Sequence, residues 1–135
     1  MKKVIVVLLL CIFAHKGYSQ IVLIANKGVE MNISAITTVS DIYTLETQKS
    51  TNGKAIVVFD LKTAPNDQLY TAIGKSATEL KKIWMKMQLS GDGKAPTALE
   101  NEDEMIAKVS SVPGAIGYVS QAKVTDAVKT LFTIK

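Results

Sequence analysis

No arginine occurs in the 135 residues, and the only cysteine and histidine, Cys11 and His15, both lie close to the N-terminus. Each scarcity excludes something. Without guanidinium groups the chain cannot clamp a carboxylate or phosphate with the bidentate fork that arginine supplies. One cysteine builds no disulfide framework. If the N-terminal stretch is removed, no thiol or imidazole remains, and conventional zinc and copper sites, cysteine nucleophiles and histidine bases go with them. No apolar run is long enough to cross a bilayer, which takes ~20 helical residues; the longest is Val4 to Ala14.

That run is informative for another reason. Lys2 and Lys3 precede it, and Gly17-Tyr18-Ser19 places small residues where a signal peptidase reads, so residues 1–19 are expected to be a secretory leader cleaved before Gln20. Leu8-Leu9-Leu10 before Cys11 also resembles a lipidation site, but Leu10 stands where a small residue is normal. The Lys-led start has a bacterial character, so the expected location is periplasmic or secreted. Loss of Lys2, Lys3 and Lys16 reduces 16 lysines to 13 against 12 acidic residues. A nearly neutral domain lacks the electrostatic footprint of nucleic-acid binding. Residues 20–135 are the size of one ordinary domain and need no covalent staple.

Along that domain, Ile21 to Ala25 reads as a buried strand, while Asn26 to Thr38 is too mixed to assign. Ser40-Asp41 is expected to cap a short helix carrying Ile42, Tyr43 and Leu45. Asn52-Gly53 signals a turn before a β-branched strand over Lys54 to Leu61. Asp67 to Ile73 reads as a helix closed by Gly74. Ser76 and Glu79 form a capping-box pair ahead of a stripe of Ala77, Leu80, Trp84 and Met87, widened by Ile83. Ser90 to Pro96 is a loop by composition. A further helix is expected from Asn101, with Glu102, Asp103 and Glu104 near its positive end and Met105, Ile106 and Val109 facing inward. Pro113-Gly114 ends it, and strands follow at Ala115 to Val119 and Val128 to Ile134. The sum is a single α/β domain without repeats or linkers.

The order of these motifs resembles the phosphate-type periplasmic substrate-binding proteins. The resemblance runs through Ser40-Asp41-Ile42-Tyr43, Asn52-Gly53-Lys54, Gly74-Lys75-Ser76, Trp84 and Gly91 to Pro96, and its most specific element is Pro113-Gly114-Ala115-Ile116-Gly117-Tyr118. It implies one lobe of a type 2 periplasmic binding protein, where full-length members have two lobes that close on an oxyanion. It also implies a non-enzymatic binding function, phosphate or another oxyanion as ligand, and no cofactor. In larger relatives a Ser-Gly-Thr triplet contacts the anion; here Ser76-Ala77-Thr78 is the comparable triplet. Lys75, Ser76 and Thr78 are therefore the candidate ligand-binding residues, on a helix start that offers unpaired N–H groups. The plain alternative is that Ser76 only caps its helix.

Other constellations are weaker. Gly74-Lys75-Ser76 ends like a nucleotide phosphate loop, but Leu69 occupies the place of the leading glycine. Asp92 and the Glu100 to Glu104 cluster lack the alternating ligand spacing of a calcium loop. Nothing in the sequence pairs Asp41, Asp60 or Asp92 for glycoside hydrolysis, and adjacent Lys75 and Ser76 point apart, against a Ser–Lys mechanism. No catalytic or metal-binding residue is assigned. Gly114 and Gly117 are expected to permit tight packing, with Tyr118 offering one anchored hydroxyl. The second functional reading is an interaction module, which self-associates as a homodimer or docks on a partner protein. The stretch Asn26 to Thr38 and the loop Ser90 to Pro96 would form the rim of its contact face.

Overall fold

A computed structural model describes residues 20–134. The expected leader, with Cys11 and His15, lies outside them. Five strands form one sheet in the order β3-β2-β4-β1-β5, where β1 is Ile21–Ala25, β2 Val57–Leu61, β3 Thr97–Leu99, β4 Ala115–Ser120 and β5 Lys129–Ile134. β2 runs parallel to both β3 and β4, whereas β1 runs antiparallel to β4 and β5. All five residues of β1 are buried. It is an interior strand covered on both faces, and its sequence is accordingly an unbroken apolar run rather than an alternating one.

Four α-helices are present among the described residues: α1 Ile36–Tyr43, α2 Asn66–Ile73, α3 Ala77–Ser90 and α4 Glu102–Ser111. α3 begins with the expected capping box. Ser76 Oγ accepts from the Glu79 N–H at 3.1 Å, and the Ser76 N–H donates to Glu79 Oε1 at 2.9 Å. α2 and α3 both end on left-handed glycines, Gly74 and Gly91. Asn101 caps α4 by accepting from the Glu104 N–H at 2.9 Å.

Three expectations need correction. Ser40-Asp41 does not start α1; the helix begins at Ile36, inside the unassigned stretch, and both residues lie within it. Burial of Val39, Ile42 and Tyr43 stabilises it despite β-branched residues and the lack of a side-chain cap. β2 begins at Val57 rather than Lys54, because the backbone before it is drawn into a bridge between Lys49 and Ala55. The three-residue β3 sits where no strand was expected, and it exists only through pairing with β2.

The core joins β1, β4 and the inner faces of the helices. Tyr43, Leu69, Leu80, Met105 and Tyr118 are fully buried within it. α4 packs across β4, β1, β2 and β3. It lies so close to β4 that a side chain at Gly117 would run into the Met105 sulfur. The α3 stripe is shallower than its spacing suggests: Leu80 is buried, Ile83, Trp84 and Met87 are half-buried, and Ala77 is exposed. The Trp84 indole N–H donates to the Tyr43 carbonyl at 2.7 Å, tying α3 to α1.

Candidate functional site

Parallel strands of an open α/β sheet commonly present ligand sites at their carboxyl ends. At that end of β2 stands Asp60, only 3% exposed. Its Oδ1 accepts from the Leu61 N–H at 2.8 Å and from the Tyr118 hydroxyl at 2.5 Å, and its Oδ2 accepts from the Tyr70 hydroxyl at 2.6 Å. No lysine pairs with it among the described residues. Three donors replace the water that the carboxylate loses on burial, and two of them come from distant elements, α2 and β4. The Tyr43 ring meets the Tyr118 ring edge-on with centroids 5.9 Å apart, and the Tyr43 hydroxyl donates to the Phe59 carbonyl at 2.7 Å. The expected anchored hydroxyl of Tyr118 is present, but its partner could not be named from the sequence.

These tyrosines resist ionisation. Burial first, and then the Asp60 charge, push the Tyr118 and Tyr43 hydroxyls well above their ordinary range; burial and the hydrogen bond to Asp60 raise Tyr70. In the unfolded chain the same groups ionise near pH ~10. Above that pH the unfolded state binds fewer protons than the folded one, so stability falls as pH rises. The midpoint of urea unfolding is expected to hold up to about pH 10 and to drop beyond it. Tyr70→Phe and Tyr118→Phe should flatten the drop, as circular dichroism across the alkaline range can determine. A midpoint insensitive to alkali in the wild type would contradict this reading of the cluster.

The start of α4, at the same end of the sheet, is already supplied with carboxylates. Glu102 Oε2 accepts from the Ser120 N–H at 2.5 Å, and Glu104 Oε1 accepts from the Glu100 N–H at 2.9 Å. Glu100 also pairs with Lys62 on the exposed surface. α2 starts with Asp67 in its first turn. A mobile anion approaching either helix start meets fixed negative charge, so neither favours an oxyanion.

Lys75, Ser76 and Thr78 lie beyond α2, at the start of α3. The capping box engages Ser76 Oγ, the Ser76 N–H and the Glu79 N–H, while the amides of Ala77 and Thr78 have no protein acceptor among the described residues. The neighbouring Lys75 and the capping hydrogen bond hold the Glu79 carboxyl below its usual range, the hydrogen bond contributing more. Lys75 also lines a depression with Ser40, Thr44, Glu46 and Lys86, which Ser76 and Thr78 do not line. The structure therefore places the three residues together in sequence on one exposed turn, without enclosing them.

The two stretches expected to form one rim line separate depressions. Asn26, Gly28 and Val29 face Pro113-Gly114, whereas Gly91 to Ala95 closes a cleft of about 510 Å³ against Leu45, Gln48 and Ile56 to Val58. Asp92 and Lys94 are the only ionisable side chains lining that cleft.

No family model and no curated protein sequence matches the chain. Solved structures do. One is described as a phosphate ABC transporter substrate-binding protein from Clostridium perfringens with bound phosphate, with a TM-score of 0.68 and 21% identity over 84% of this chain and 44% of the other. An ABC-type phosphate transport receptor from Vibrio cholerae follows, with a TM-score of 0.65 and 13% identity over 84% and 45%. PstS from Borrelia burgdorferi gives 0.61 and 14% over 84% and 47%. The chain spans under half the length of these binding proteins, and its mixed α/β domain has the fold of that matching part.

Proposed function

We propose that the chain is an exported, non-enzymatic binding domain built as one lobe of the phosphate-binding architecture, and that its ligand is phosphate or a similar oxyanion. The observation that carries the ligand assignment is the start of α3. Two amides, at Ala77 and Thr78, are left without protein acceptors, and a lysine stands next to the cap. Donors of this kind, with the positive end of the helix behind them, suit a small anion. The starts of α2, α3 and α4 all carry acids in the first turn; at α3 the single one, Glu79, is held by the Ser76 N–H and lies near Lys75. A single open surface leaves the bound ion largely hydrated, so affinity in the millimolar range is expected.

Calorimetric titration with inorganic phosphate tests this. The wild type should bind weakly, and Lys75→Gln should weaken binding without changing stability. Ser76→Ala should cost about 1 kcal/mol of stability through loss of the cap. A wild type that shows no saturable phosphate binding would leave Ser76 as a cap alone. A second reading, an interaction module, is favoured by one observation: Met85 and Leu89 on α3 are 60% and 82% exposed.

A further inference from the structure

Met85 and Leu89 lie one turn apart on the face of α3 opposite Leu80, and together with Lys82, Lys86 and Ser90 they line one shallow surface. Lys81 lies on the same outward side. Glu79, the only acid of the helix, is drawn into the capping box at its start. The apolar pair is thus framed by positive charge.

That arrangement restricts what can cover it. An identical face from a second copy would bring lysines against lysines, which costs rather than contributes free energy. Docking of a helix into a protein groove is usually anchored at i, i+3 or i+4, and i+7. Here the row stops after two anchors, since Lys82 and Thr78 occupy the preceding turns. Two apolar side chains with flanking lysines do suit a lipid surface. The side chains enter the boundary between headgroups and acyl chains, the lysine stems lie along it, and the ammonium groups meet phosphate oxygens.

We infer that the outer face of α3 is a reversible docking site for an anionic phospholipid surface, with Met85 and Leu89 as shallow anchors and Lys81, Lys82 and Lys86 as headgroup contacts. This goes beyond the oxyanion assignment and uses side chains on the later turns of the helix rather than the amides at its start.

Co-sedimentation with vesicles of phosphatidylglycerol and phosphatidylcholine, using protein recovered after export and processing, tests the inference. Binding should exceed that to phosphatidylcholine alone and should weaken as salt rises. Met85→Ser/Leu89→Ser and Lys82→Gln/Lys86→Gln should each reduce it by roughly tenfold or more. All four positions are exposed, so the fold should persist, with Trp84 fluorescence as the check. Inorganic phosphate at matched ionic strength should not displace the protein from vesicles, which separates this face from the start of α3. Absence of binding to anionic vesicles, equal binding to neutral ones, or binding unchanged in both double variants would overturn the inference.

Discussion

Asp60→Ala is expected to cost about 3 kcal/mol or more of folding stability, the largest loss from a polar substitution in this chain. The substitution removes the acceptor shared by Leu61 N–H, Tyr118 and Tyr70. The Tyr118 hydroxyl is left in a fully buried position without its carboxylate acceptor. Asp60→Asn keeps one carbonyl oxygen and should cost less. Urea unfolding of Asp60→Asn, Tyr118→Phe and the double variant completes a cycle, and a coupling of about 1 kcal/mol or more is expected. Additive effects would show that the hydroxyl and carboxylate only happen to be neighbours.

Gly114→Ala should be nearly as damaging, by about 2–4 kcal/mol. Two costs combine. Gly114 has φ +81°, a left-handed conformation that side chains rarely adopt, and a Cβ there would stand 2.7 Å from the Ala55 carbonyl oxygen. Relaxation is restricted because the Gly114 carbonyl accepts from the Val57 N–H at 2.8 Å, holding the start of β4 against β2. Gly74→Ala separates the two costs. Gly74 has a similar φ of +73° with nothing within 4 Å of its Cβ position, so its loss should be about 1 kcal/mol. Equal losses at the two glycines would rule out the clash as a contributor.

Where the sequence was legible, the signal was local. Ser76 with Glu79, Asn101 before three acids, and Gly74 after Ile73 each act within one helical turn, and each of those helix ends lies where the pattern puts it. β1 was readable because a strand covered on both faces carries an apolar run. α1 was misplaced because its stability comes from packing Val39, Ile42 and Tyr43 into the core rather than from a cap. β3 was missed because three residues of mixed character become a strand only beside β2.

The Asp60 cluster illustrates the same limit at the level of the site. Asp60, Tyr70 and Tyr118 are separated by 10 and 58 positions, so no spacing rule joins them. An aspartate at the end of an apolar strand was the only available signal. The start of α3 was readable as a cap, and its adjacent lysine, Lys75, was readable with it.

Phosphate titration of the ¹⁵N-labelled protein, followed amide by amide, bears most directly on the claim that this single lobe binds an oxyanion at α3. The account predicts saturable shifts centred on Ala77 and Thr78, reduced in Lys75→Gln, with the amides of Leu61 and Ser120 unmoved. Shifts centred instead on the carboxyl end of the sheet, or no saturable shift at any amide, would contradict it.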